Sequence, residues 1–385
     1  MRTITLLAGA LLLAGCSSDK GATLPSTTPS ERPAVTTLSA SAASPPVSAV
    51  AAVSASPEPT AEPAPDPSSP PRAIDLHVDT AWQVKFKGRA PELTEGHATM
   101  VTLEKGHYGA VVYPIYIADY LHDSNPTVAD ADEIYATLQT IFEKNPLLWP
   151  ATKGPTPKGK VTAYLAIEGA GAFAADITQI DRFIDRGIVF VGLVHARDNK
   201  LATSATGKDK KTGLTERGAA LCERIYAGGA LVDVSHMSDR AFDDLAAIAE
   251  RVGAPIVATH SDARAVTNNP RNLTDAQLER IAKTGGVAGL NFHSTFLSAS
   301  GTASLSDVVA HAKHMIEVAG VDHVAIGSDF DGGNPPADLA DASYLPDLAA
   351  ALRKAGVSAE DVHKIFSENA KRVLSWGAKR RATKK

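Results

Sequence analysis

Ile74-Asp75-Leu76-His77-Val78-Asp79 is the first stretch of this 385-residue chain that reads as a strand. It sets a histidine and a carboxylate two residues apart. Side chains at i and i+2 of a strand point to the same face, so His77 and Asp79 are placed to grip one metal ion from one side. A buried strand can carry such a pair by chance, and the layout of the rest of the chain decides between the two readings. From residue 73 onward, short apolar, β-prone runs alternate with stretches of helical spacing. The strand candidates are 73–78, 109–115, 161–167, 188–194, 229–235, 255–259, 286–291 and 323–328. Between them lie segments such as Asp239 to Glu250, with Ser238 as N-cap and Gly253 as stop. Near-continuous apolar strands separated by helices predict parallel pairing with helices outside. About eight such units favour a closed (β/α)8 TIM-type barrel over an open doubly wound sheet. No glycine-rich phosphate loop follows the first strand, which argues against a nucleotide-binding fold. No internal repeat is evident.

Ahead of that strand the chain changes character. Residues 1–16 carry one positive charge, then an apolar run too short to span a bilayer, then small residues, the pattern of a secretory leader. Leu13-Ala14-Gly15-Cys16 resembles the bacterial lipobox, which implies cleavage before Cys16 and lipid attachment to its thiol. Ser17 follows the cysteine, so in a Gram-negative host the resemblance implies the outer membrane. Residues 17–72 are Ser, Thr, Ala and Pro with almost no large apolar groups, and such a composition cannot offset the entropy of ordering. We read them as a disordered tether. Cys222 is the one cysteine left after Cys16, so the folded part forms no internal disulfide and must stand on packing. The net charge of −5 gives no sign of a nucleic-acid partner, and the basic tail over 377–385 reads as a solvated end. The expected organisation is a leader (1–16), a tether (17–72), a barrel (73–376) and that tail.

In a (β/α)8 barrel the chemistry gathers at the carboxyl ends of the strands. The first expected strand ends with His77 and Asp79, the third on Glu168, the fourth on His195, the fifth on His236, the sixth on His260 and the eighth on Asp329. One histidine after a strand is ordinary. Apolar runs that repeatedly stop on metal-competent residues are hard to attribute to packing. Three neutral imidazoles (His77, His236, His260) with two carboxylates (Asp79, Glu168) suit two divalent ions, most naturally zinc. One carboxylate must bridge if the ions sit about 3.5–4 Å apart. Glu168 is the candidate, because Gly169, Ala170 and Gly171 leave space around it.

These motifs together resemble the membrane dipeptidase (renal dipeptidase) family of binuclear zinc peptidases, within the amidohydrolase superfamily. The resemblance covers about 73 to 376. It is carried by His77-Val78-Asp79, Ile167-Glu168-Gly169, Asp233-Val234-Ser235-His236, Thr259-His260-Ser261, Asn269-Pro270-Arg271-Asn272 and Gly327-Ser328-Asp329-Phe330-Asp331-Gly332. It implies that His77 and Asp79 hold the first zinc, that His236 and His260 hold the second, and that Glu168 bridges. It further implies that His195 contacts the substrate and polarises its carbonyl, that Arg271 receives the terminal carboxylate, and that Asp329 handles protons. The implied substrate is a dipeptide, L-Xaa-L/D-Xaa. Dimers are common in that family, which extends the expectation of a homodimer to this chain. Many relatives carry Asn where Val78 stands, on the face away from the metals. Some have Tyr where His293 stands, a position expected to line the pocket.

The expected mechanism follows from the charges: a hydroxide bridging the two zinc ions attacks the amide carbonyl. Asp329 takes the proton from the nucleophile and returns it to the leaving amine. A structural zinc protein is argued against by the lack of a closed, cysteine-rich ligand set, and two further rivals share these motifs. One is another amidohydrolase reaction, such as hydrolysis of an N-acyl amino acid or a lactone, since fold does not set function. Arg271 is the discriminating residue, because it calls for a carboxylate. The other is a surface-binding lipoprotein without catalysis, against which the full ligand set and Asp329 argue. Three further expectations are made here. His311 and His314, three apart on a helical stretch, read as an exposed helix face rather than a metal pair, Trp82 and Tyr116 either line the mouth of the pocket or serve packing, and Asp331 either orients a ligand or sits idly in a loop.

Overall fold

The computed structural model describes residues 71–382. The leader, Cys16 and the tether up to residue 70 lie outside the described residues. Nine parallel strands form one sheet: β1 (Ala73–Asp75), β2 (Tyr108–Tyr116), β3 (Leu148–Pro150), β4 (Val161–Glu168), β5 (Ile188–Gly192), β6 (Leu231–Asp233), β7 (Val257–Ala258), β8 (Val287–Leu290) and β9 (Val324–Ile326). Eight of them close into a barrel in the order β1-β2-β4-β5-β6-β7-β8-β9, with β9 returning to β1 at Asp75 and Ile326. The (β/α)8 architecture expected from the alternating runs is therefore the one formed.

The ninth strand was not expected. β3 pairs with the first residues of β4, from Leu148 opposite Val161 to Pro150 opposite Ala163. β5 takes over the same flank from Leu165 upward. Three residues ending in proline give too short a run to be told from a loop in the sequence.

The strands are buried along their length, as parallel strands covered by helices must be. The helix Asp239–Val252 shows how the outer layer is laid on. Ser238 Oγ accepts from the Ala241 N–H at 3.1 Å, Gly253 stops the helix in the left-handed conformation, and Phe242, Leu245 and Ile248 face the core. The barrel narrows beneath its upper rim. A Cβ at Gly327 would collide with the carbonyl oxygen of Thr259, so only glycine lets β7 and β9 approach so closely there. The last helix runs from Asn369 to Ala382, past the start of the expected tail. Among the described residues no helix is long and apolar enough to cross a membrane.

Most strands are shorter than the apolar runs that announced them. β1 ends at Asp75 rather than 78 and β6 at Asp233 rather than 235. The residues just beyond leave the ladder and turn their side chains to a common centre.

Candidate metal centre

Two buried aspartates fix the ends of the strands before any reactive group appears. Asp75 closes β1, and its Oδ1 accepts from the His77 N–H (3.2 Å) and from the Ser328 N–H beyond β9 (2.9 Å). Asp233 closes β6 and does the same between its own loop and β7, accepting from Ser235 N (2.9 Å) and Thr259 N (3.0 Å). Each carboxylate thus ties a site-bearing loop to the neighbouring strand. The sequence reading passed over both. A lone acid inside an apolar strand run was the available signal, because an unpaired charge does not stay buried.

Around this frame the predicted residues converge. Glu168 is the hub. Its Oε1 lies 3.0 Å from His236 Nε2 and 3.6 Å from His260 Nε2, and those two nitrogens are 2.9 Å apart. Its Oε2 lies 3.6 Å from His77 Nε2, which in turn is 3.3 Å from Asp79 Oδ2. The two oxygens of one carboxylate therefore face different donors, Oε1 the His236–His260 pair and Oε2 His77, with ligand-competent atoms of His77, Glu168 and His260 still within 4.8 Å of one another. Ligand-competent atoms of His77, Asp79 and Asp329 also fall within 4.8 Å of one another, as do those of Glu168, His195 and His236.

Such crowding of lone pairs is unfavourable without positive charge between them. His77 Nε2, Asp79 Oδ1 and His236 Nδ1 are buried without a hydrogen-bond partner. Burial pulls the His77 imidazole down, but Asp79 and Glu168 override it and hold its pKa well above the ordinary value. Burial also raises Glu168, and the facing histidines more than reverse that, so it stays ionised. His236 and His260 are kept neutral, well below the usual range, chiefly by burial. His236 and His260 are thus already in the neutral ligating form and Glu168 in the ionised one, while His77 holds the proton that a cation between these carboxylates would displace, and on that basis the donor set fits divalent cations.

The tautomer of His260 is set from behind. Thr259 Oγ1 donates to Asp233 Oδ2 at 2.5 Å, so toward His260 Nδ1, 2.8 Å away, it can only accept. That places the proton on Nδ1 and leaves Nε2 free as a donor atom. His236 (φ 69°) and Asp329 (φ 60°) both adopt left-handed backbone, a conformation uncommon in non-glycine residues and met more often in histidine and aspartate than in most.

The remaining predicted residues line the cavity above the cluster, about 540 Å³ in volume. Arg271 is buried at its edge, donating to Ser261 Oγ (3.3 Å) and the His260 carbonyl (3.2 Å). His195 faces the cavity with Nδ1 3.1 Å from the Tyr116 hydroxyl. Asp329 is held by Asn291, whose Nδ2 donates to Oδ2 at 3.1 Å. The sequence gives Asn291 no role, and the fold of β8 beside β9 is what brings it to Asp329.

Three expectations need correction or completion. Trp82 and Tyr116, left open between packing and the mouth of the pocket, line the cavity, as does His293. His311 is fully buried rather than exposed. Its Nδ1 accepts from Ala263 N and its Nε2 donates to the Leu297 carbonyl, both at 3.1 Å, while His314 pairs with Asp275 at 2.7 Å. His311 shares the inner stripe of its helix with Val308, Ala312 and Met315, and it pins the segment that carries Arg271. Asp331 is no idle loop residue. Its buried carboxylate takes the Thr80 hydroxyl (2.9 Å), the His97 N–H (2.9 Å) and Arg89 (2.8 Å), which locks the loop bearing Asp329.

A parallel eight-stranded barrel with buried histidines and carboxylates at its carboxyl rim defines a metal-dependent hydrolase. The model of the membrane dipeptidase family (peptidase family M19) matches residues 70–384, and the chain belongs to that family. It is 39% identical over 225 residues to an uncharacterised protein from the pqqA 5′ region of Klebsiella pneumoniae, a match spanning 56% of this chain and 82% of that protein. It is 29% identical over 299 residues to an uncharacterised dipeptidase of Schizosaccharomyces pombe, spanning 72% of each. A metallopeptidase from Rhodobacter sphaeroides, solved with a phosphinate mimic of L-Ala-D-Ala, superposes with a TM-score of 0.72 at 27% identity, covering 80% of this chain and all of the other. The chain is a metal-dependent dipeptidase.

Proposed function

We propose that the chain hydrolyses L-Xaa-L-Xaa and L-Xaa-D-Xaa dipeptides at two zinc ions, one held by His77 and Asp79, the other by His236 and His260, with Glu168 shared. The observation that carries this reading is that the two Glu168 oxygens have different nearest donors, His236 and His260 on one side and His77 on the other. The D-configured option takes support from the bound mimic in the Rhodobacter protein. Zinc bound there would polarise the amide carbonyl and acidify water.

The chain's own residues do the rest. Arg271 anchors the substrate carboxylate at one end of the cavity, and its buried guanidinium has an unpartnered Nε–H to offer. His195 donates to the carbonyl oxygen as charge develops on it, with its ring fixed through Nδ1 by Tyr116. Asp329 accepts a proton from the attacking water and passes it to the departing amine, while Asn291 keeps Oδ2 in place.

Removal of metal by chelation and dialysis is expected to abolish amino-acid release from L-Ala-L-Ala and L-Ala-D-Ala. Added zinc is expected to restore it. Full activity in protein shown by elemental analysis to be metal-free would refute the reading. For Arg271→Ala, the Michaelis constant for a free-carboxylate dipeptide should rise about 10- to 100-fold, the loss of one charge-assisted contact. The turnover number should change little. The amide-capped dipeptide should be nearly indifferent to the change, and an equal penalty on both substrates would remove the anchor role.

A further inference from the structure

Thr259 follows β7 directly and is buried behind the metal centre, where its hydroxyl meets both halves of the donor set. Donation to Asp233 Oδ2 uses the one hydroxyl proton and leaves two lone pairs. His260 Nδ1 lies 2.8 Å from that oxygen. His77 Nδ1, from a residue 182 positions earlier in the chain, lies 3.4 Å from it. Among the described residues neither Nδ1 has another hydrogen-bond partner. Ser235 Oγ, at 3.5 Å, is the farthest neighbour, and it already accepts the His260 N–H.

The two imidazoles are arranged as a pair. Their ring centroids are 3.8 Å apart and their planes 36° from parallel. Behind, their Nδ1 atoms converge on the single Thr259 oxygen. In front, their Nε2 atoms turn to different oxygens of Glu168, each at 3.6 Å. The oxygen behind is itself fixed. Asp233 Oδ1 accepts from Ser235 N and Thr259 N, so the carboxylate cannot turn away and the hydroxyl keeps its direction.

A histidine that ligates through Nε2 carries its proton on Nδ1. An acceptor behind that proton holds the ring plane and strengthens the donor atom in front. Such an acceptor commonly serves one ring. Here one hydroxyl is in reach of two rings assigned to different cations.

We propose that the Thr259 hydroxyl, backed by Asp233, is a shared positioning group that sets the affinity for both zinc ions rather than for one. The proposal rests on the two-zinc reading above. Thr259→Val keeps the shape of the side chain and removes the hydroxyl, and Thr259→Ser keeps the hydroxyl. Both variants are to be checked for native melting, and their stepwise zinc dissociation constants measured by competition with a chromogenic chelator. Both constants should rise about 10- to 100-fold in Thr259→Val, the usual cost of losing an outer partner of a metal-bound histidine. Thr259→Ser should stay near wild type at both. The assignment is overturned if only one constant rises, if neither does, or if a folded serine variant is as weak as the valine one. Should Thr259→Val fail to fold, a crystal structure of the zinc-loaded wild type decides. Thr259 Oγ1 within about 3.2 Å of both Nδ1 atoms supports the shared role, and His77 Nδ1 turned to a different acceptor overturns it. A wild-type protein that binds fewer than two zinc ions would instead remove the two-zinc reading itself, and this proposal with it.

Discussion

Glu168→Ala should leave a protein that binds less metal and turns over dipeptides about a thousandfold more slowly, or not at all. The size follows from what the side chain touches. Its Oε1 is within 3.0 Å of His236 Nε2 and its Oε2 within 3.6 Å of His77 Nε2, so one truncation strips a donor from both clusters. Losing a single stabilising group in a preorganised site already costs about 10²–10³ in rate, and losing a shared ligand removes the groups that place the others. Elemental analysis and kcat on the same preparation check it. Retention of both cations at wild-type affinity would show that Glu168 is not shared, however low the activity. Glu168→Gln is the informative companion, since the amide keeps the shape and one oxygen donor but gives up the charge that holds His77 protonated. It should bind metal more weakly than wild type and more tightly than the alanine variant.

The barrel and most of its reactive rim were legible because two patterns coincide in the chain. Apolar runs such as Val161–Ile167 announce buried parallel strands, and the residue that stops each run stands where such a barrel keeps its chemistry. His77, Glu168, His195, His236, His260 and Asp329 were all found this way. What stayed hidden depends on partners distant in sequence. Asp75 bonds the N–H of Ser328, Tyr116 meets His195, Asn291 holds Asp329, and His311 supports Ala263. None of these pairs has a local signature, because each joins loops of different strands. His311 misled for a related reason. Histidine at helical spacing looks solvent-facing until the neighbouring loop supplies both a donor and an acceptor. The left-handed backbone at His236 and Asp329 is only faintly marked in the sequence, since histidine and aspartate adopt it more readily than most residues but nothing local says which of them will.

For Asp329→Asn, turnover should drop about 10²–10⁴-fold, the range supplied by a positioned acid–base group, while metal content and the Michaelis constant stay near wild type. The same substitution should stabilise the metal-free protein, and that second effect separates a functional carboxylate from a structural one. Burial, reinforced by the nearby Asp79 carboxylate, pushes Asp329 up to about 7 from an ordinary value of 3.8. Between those values the folded state holds a proton that the unfolded chain has released, so stability declines as pH rises from about 4 to about 7. Below that window the carboxyl is protonated in both states and nothing is lost. At pH 7.5 the wild-type metal-free protein carries the full penalty and Asp329→Asn carries none. The difference is on the order of a few kcal/mol at most, because the side chain borders the cavity and solvent softens the effect of burial. Melting curves of the two metal-free proteins at pH 4.5 and 7.5 decide the matter: the asparagine variant should gain on wild type at the higher pH and only slightly at the lower. If the gap does not widen with pH, Asp329 is not the strained carboxylate that proton transfer at neutral pH requires. If it does, the charge that destabilises the metal-free pocket is the one that moves the proton, because a carboxylate held up near neutrality can both accept a proton from water and release it to an amine.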